Sequence, residues 1–128
     1  MRIGQLADTC NCSAETIRYY EKIGLLPPAI RQDNGYRHYE SSHQKWLSFI
    51  LRSKALGFSQ KEVRRLTDLA NAPASSCQDV HSLVVEHIRD VRSRVRDLER
   101  MEQSLRRLEE KCNDETLHDC PVIDELMR

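Results

Sequence analysis

The sequence predicts a mainly α-helical protein: a head of short helices with one small β-hairpin, then one long coiled-coil helix, then a short loop and terminal helix. Three observations predict it. From Val80 onward, apolar side chains recur at Val84, Ile88, Val91, Val95, Leu98, Met101, Leu105 and Leu108, in steps of three and four, with no Gly or Pro from residue 77 to 112. Upstream, Asn34-Gly35 lies between two short runs of strand-forming residues. Ser13 and Ser59, with Gly24 and Gly57, punctuate the head as helix starts and stops.

Taken in order, Ile3 to Thr9 forms a short amphipathic helix with Ile3, Leu6 and Ala7 inward, and Asn11 makes the turn after it. Ser13 caps a second helix from Ala14 to Leu25, ended by Gly24 and by Pro27-Pro28. Two short helices around a tight polar turn suit a helix-turn-helix, whose second helix enters the major groove. Residues 29–31 and 36–39 then read as two strands around an Asn-Gly turn, a small wing carrying Arg31, Arg37 and two tyrosines. The same pattern also suits an ordinary surface hairpin.

Ser42 to Leu56 is a helix with a broad apolar face of Trp46, Leu47, Phe49, Ile50 and Leu51, stopped by Gly57. Ser59, with Glu62 in capping-box position, starts the next, whose Val63, Leu66 and Leu69 face inward; residues 71–73 break it. The long helix begins at Cys77. Its outer face carries charges of both signs, and His87 lies beside the apolar seam as a polar flank. A stripe this long and narrow cannot be buried within 128 residues, and a second copy of the same helix is the simplest partner. After Cys112 comes a loop from Asn113 to Asp119, and Pro121 opens a last helix, Val122 to Met127. The implied divisions are 1–71 for the head, 72–111 for linker and dimerisation helix, and 112–128 for loop and terminal helix.

Composition narrows the setting. Mean hydropathy is −0.65, aromatics are 5%, and no apolar run approaches membrane length, so no membrane partner is expected. The N-terminus lacks a signal-peptide core, and a cytoplasmic location is expected, where five cysteines stay reduced. The zero net charge hides a split: residues 1–76 hold 11 Lys+Arg against 7 Asp+Glu, residues 77–128 hold 9 against 13. A modestly basic head on an acidic stalk permits phosphate binding. No nucleophile-base set, phosphate-cradling Gly loop or paired carboxylate motif points to an enzyme.

Cys77 and Cys112 stand 35 residues apart at the two ends of the long helix. At a rise of ~1.5 Å per residue they are separated by roughly 50 Å and cannot share a ligand within one chain. In an antiparallel pair, Cys77 of one chain lies beside Cys112 and Cys120 of the other, giving a three-thiol cluster at each end. Helix-end cysteines also occur as small buried hydrophobes; Cys120, in a polar stretch with His118 and Asp119, favours the ligand reading. Cys10 and Cys12 have chelating spacing but no partner ligands nearby, and read as turn and core residues.

Several runs are familiar together. Thr16-Ile17-Arg18-Tyr19-Tyr20-Glu21, Gly24-Leu25-Leu26, the wing from Asn34 to Tyr39, and Leu56-Gly57-Phe58-Ser59 with Glu62 strongly resemble the MerR family of bacterial transcription regulators, over essentially the whole chain. The resemblance implies a winged helix-turn-helix head with a β-hairpin wing, a long antiparallel coiled-coil dimerisation helix, and a short C-terminal metal-binding loop and helix. It implies a homodimer on double-stranded promoter DNA. There it bends and untwists an overlong spacer so that bacterial RNA polymerase engages both promoter elements. It implies that Arg18, Arg31 and Arg37 grip phosphate, with Thr16 and Tyr20 as base or backbone contacts and Tyr19 and Tyr36 beside them.

Within the family, Cys77, Cys112 and Cys120 resemble the three-cysteine pattern of the metal-responsive branch. Copper(I) sensors resemble this chain around Cys112–Cys120 and Pro121-Val122-Ile123 but carry Ser where it has Cys77. A third thiolate adds negative charge and favours a divalent ion: cadmium, lead or zinc, with mercury close behind. His118 or Asp119 is a candidate fourth ligand, with His81 more remote. The redox-sensing branch carries four clustered cysteines after the long helix where this chain has two, and the multidrug branch carries a large further domain. A thiol redox sensor using a Cys112–Cys120 disulfide stands as the other reading of the same cysteines.

Overall fold

The computed structural model describes residues 1–74, 76–112 and 120–128. Among these the elements are α1 (Ile3–Cys10), α2 (Ala14–Lys22), β1 (Ile30–Arg31), β2 (Arg37–His38), α3 (Ser41–Ala55), α4 (Gln60–Asn71), α5 (Cys77–Lys111) and α6 (Pro121–Leu126). The chain divides into two compact units, Met1–His81 and Ser82–Arg128.

In the first unit, α1 packs on α2 and α3, and α3 packs on α4. Leu6, Ile17, Leu26, Leu47, Ile50 and Val63 are fully buried between them. Each such side chain contributes about 1.5–3 kcal/mol by leaving water, so this small cluster carries the head. Capping decides where the helices start. Ser13 Oγ accepts the Thr16 amide at 3.1 Å, and Ser59 and Glu62 exchange reciprocal bonds of 3.1 and 2.9 Å. α2 stops at Lys22, three residues short of the expected Leu25. Gly24 adopts φ +79° there, and the Leu25 and Leu26 amides turn back to the Tyr20 carbonyl.

The wing pairs Ile30 with His38 and Arg31 with Arg37 in an antiparallel ladder. Its turn differs from the expected two-residue Asn-Gly type. That geometry needs positive φ at both central residues, and only Gly35 has it, at +82°. The Gly35 amide instead donates to the Gln32 carbonyl at 2.8 Å and the Gln32 amide to the Tyr36 carbonyl at 3.0 Å, leaving a three-residue loop with glycine at its left-handed position. The wing is tied down at its base. The Met1 nitrogen donates to the Tyr39 carbonyl and the Tyr39 amide to the Met1 carbonyl, both at 2.7 Å. His43, buried beside Tyr39, accepts the Glu40 amide at Nδ1, which leaves Nε2 to donate to the Pro28 carbonyl at 3.0 Å.

α5 starts where Asp79 accepts from the Ser76 amide and hydroxyl, and it runs 35 residues without a break. In the second unit the seam residues Val84, Ile88, Val91, Val95, Leu98, Met101 and Leu105 all stand exposed. His87, expected as a polar flank of the seam, is buried, as is Leu83 one turn before it. α6 opens with Pro121 at its first turn. It is tied to the last turn of α5 by Lys111 Nζ and Glu125 Oε2, 3.4 Å apart. Leu126 of α6 joins Met101, Leu105 and Leu108 in lining an apolar groove of about 500 Å³. No helix of the described residues is long and apolar enough to cross a membrane.

Candidate nucleic-acid interface and metal centre

The left-handed residue Asn11, φ +56°, ends α1 and makes the turn that leads into α2. Ile17 and Tyr20, three residues apart, occupy the inward stripe of α2 and are buried. Tyr20 is therefore a core residue, and Tyr19, 49% exposed, is the tyrosine that α2 presents outward. Arg18 is exposed beside it, and Thr16 is half-buried with its hydroxyl 2.8 Å from Ser13 Oγ. The Tyr19 hydroxyl donates to Gln60 Oε1 at 3.0 Å, tying the outward face of α2 to the start of α4.

On the wing, Arg31, Tyr36 and Arg37 are all exposed. Arg37 Nη1 lies 3.4 Å from Glu21 Oε2 at the end of α2, so wing and helix are joined by one ion pair. Tyr39 is fully buried, with its hydroxyl next to that carboxylate. Burial first, and then Glu21, push its phenol up to about 12, with Arg37 pulling the other way. Arg2, just before α1, lays its guanidinium 4.6 Å above the Tyr36 ring. Arg2, Ile3, Arg18, Tyr36 and Arg37 together line a cleft of about 370 Å³. Sequence reasoning missed Arg2 and gave Glu21 no role. Both depend on contacts across more than fifteen positions of sequence, and no motif marks them.

The thiols separate into two kinds. Cys10 and Cys12 are half-buried in the turn between α1 and α2. Cys10 Sγ lies 3.9 Å from the Gln44 carbonyl and from Ser48 Oγ. Burial, and then the neighbouring Cys10, push the Cys12 thiol up, which disfavours the thiolate a metal requires. Cys77 and Cys112 are exposed, one at each end of α5, and Cys120 is half-buried at the start of α6. All three are free thiols, and the length of α5 holds Cys77 and Cys112 far apart within one chain. His81 is exposed on the second turn of α5. His118, Asp119 and the rest of residues 113–119 lie outside the described residues.

A helix presented over a tight turn and flanked by a basic hairpin, followed in the chain by a long helix with an open apolar stripe, defines a DNA-binding regulator of the winged helix-turn-helix class. The family model described as MerR family regulatory protein matches residues 2–39, and that described as MerR, DNA binding, matches residues 44–108. The chain belongs to the MerR family, whose members are transcription regulators and not enzymes. It is 38% identical over 128 residues to a mercuric resistance operon regulatory protein of Bacillus cereus, covering 99% of this chain and 97% of that one. Among solved structures it resembles the transcription regulator PbrR691 of Ralstonia metallidurans in complex with lead(II), at 35% identity and TM-score 0.85 over 98% of both chains. It also resembles the dual-function regulator MerR of Bacillus megaterium in complex with mercury(II), at 35% identity and TM-score 0.75 over 100% of both.

Proposed function

We propose that this chain is a metal-responsive transcriptional regulator that binds promoter DNA as a homodimer and activates transcription by distorting that DNA when it takes up cadmium, lead or zinc, controlling metal efflux or resistance. The observation that carries the reading is the exposure of Cys77 and Cys112 at opposite ends of an unbroken α5. Paired antiparallel along the exposed seam, two chains bring Cys77 of one to Cys112 and Cys120 of the other. Three thiolates supply charge and softness for a divalent ion, with His118 or Asp119 as candidate further donors. Arg18, Arg31 and Arg37 grip backbone phosphate, and Thr16, Tyr19 and Tyr36 sit beside them on α2 and the wing. RNA polymerase is the partner that reads the altered promoter. DNA deformation costs on the order of 1–6 kcal/mol, within what metal–thiolate binding supplies.

Mercury is the second reading. It is favoured by the likeness to the Bacillus cereus mercuric regulator and to the mercury-bound structure, since three thiolates also suit that ion. One experiment separates the two: promoter activity is read while zinc, cadmium, lead and mercury compete for the purified regulator. A response confined to mercury sinks the first reading. A response to oxidant without any metal sinks both and restores the Cys112–Cys120 disulfide account.

A further inference from the structure

The cleft between α1, α2 and the wing gathers positive charge that the protein itself leaves largely uncompensated. Arg2, Arg18 and Arg37 all line it, and among the described residues only Arg37 has a carboxylate partner, Glu21. Arg2 is held by the face of Tyr36 and not by an acid. A contact with a ring face consumes none of the guanidinium N–H donors, which stay available to an anion. Arg31 stands directly across the ladder from Arg37, which adds to the repulsion. An anion seated among Arg2, Arg18 and Arg37 relieves the repulsion between them.

Glu21 is built to aim Arg37. Its side chain is only 11% exposed, and Oε1 is buried with no hydrogen-bond partner, while the fully buried Tyr39 hydroxyl lies beside it. A carboxylate confined in this way does not swing into solvent. Oε2 lies 3.4 Å from Arg37 Nη1, and the Arg37 side chain is itself half exposed.

We propose that the cleft of Arg2, Arg18, Tyr36 and Arg37 seats one backbone phosphate of duplex DNA, with Arg2 as a direct contact and Glu21 as the positioning carboxylate that turns Arg37 into the seat. This rests on the DNA-binding reading above. The test uses the full-length protein and a fluorescein-labelled duplex of mixed sequence, with affinity measured across a salt series. Arg2→Met is expected to weaken binding by roughly tenfold at low salt and to flatten the plot of log affinity against log salt by ~0.9 per head. Arg2→Lys, which keeps the charge, is expected to retain the slope. Arg2→Gln makes the same charge change should the methionine variant misfold.

Glu21→Gln gives the discriminating sign. If Glu21 only repels DNA, removing its charge tightens binding; if it positions Arg37, binding weakens despite the added net positive charge. Tighter binding by Glu21→Gln, or a parental slope in Arg2→Met, overturns the proposal while leaving the DNA-binding function intact. Failure of the parent to bind duplex at all overturns that function as well, and the two failures are distinct.

Discussion

Arg31 and Arg37 face each other directly across the two-residue ladder of the wing. Like charges at such a pair destabilise a hairpin by roughly 0.2–1 kcal/mol, and Glu21 offsets only one of them. A surface hairpin with no anionic partner gains nothing from this arrangement, whereas one that lies along a phosphate backbone does.

Arg31→Ala is therefore expected to separate stability from binding. The variant should melt at or slightly above the parent temperature while losing DNA affinity across all sequences, with a salt dependence shallower by about one ion per head. Thermal denaturation and a duplex salt series measure both. Unchanged affinity would remove Arg31 from the interface.

Val95, 47% exposed in the single chain and near the middle of the seam, tests assembly. A carboxylate there would lie unpaired between two helices, at a cost on the order of several kcal/mol. Val95→Asp should run as monomer, or fail to remain in solution, by light scattering coupled to size exclusion. A stable dimer from this variant would mean that α5 pairs along another face.

The three proposed ligand cysteines should behave alike. Cys77→Ser, Cys112→Ser and Cys120→Ser are each expected to keep operator binding, because none lies in the cleft or on the wing, and to lose metal-dependent transcription. Cys10→Ser and Cys12→Ser should keep the metal response. A parental dose response in any of the first three would strike that thiol from the ligand set.

Tyr39 gives a pH prediction. Its phenol is raised in the folded state, from 10 to about 12, so the neutral form is the one the fold favours. The stability linked to it is complete below pH 10 and is lost as pH rises toward about 12, a change on the order of 2 kcal/mol. Tyr39→Phe, which cannot ionise, should abolish this pH dependence. The difference between parent and variant, followed by urea denaturation from pH 8 upward, should shrink or invert above pH 10. Because the hydroxyl has no well-aligned partner, the variant should sit within about 1 kcal/mol of the parent at neutral pH.

Much of the architecture was legible because it follows from local rules. The α5 stripe, the Ser13 and Ser59 caps, the stop at Gly57 and the proline start of α6 are all written within a few residues of where they act. The wing was legible as a hairpin, but its turn type was not, since whether Asn34 or only Gly35 takes positive φ depends on how the strands continue. Long-range placement was the harder part. Tyr19 and Tyr20 are chemically identical in the sequence, and only the packing of α2 in the head separates the exposed ring from the buried one. His87 offered no local sign of its burial, and Arg2 joined the basic cleft only through a ring 34 positions away.

The open stripe on α5 ties the fold of the proposed dimer to mass action. In the proposed dimer, the seven large apolar side chains that α5 leaves exposed in a single chain are covered by a second copy. The resistance of such a molecule to unfolding then depends on how many copies surround it. Each tenfold dilution removes about 1.4 kcal/mol of apparent stability. Melting temperatures measured at bench concentrations would overstate its persistence at the scarcity typical of a regulator, and proteolysis of unpaired chains would keep its abundance in check.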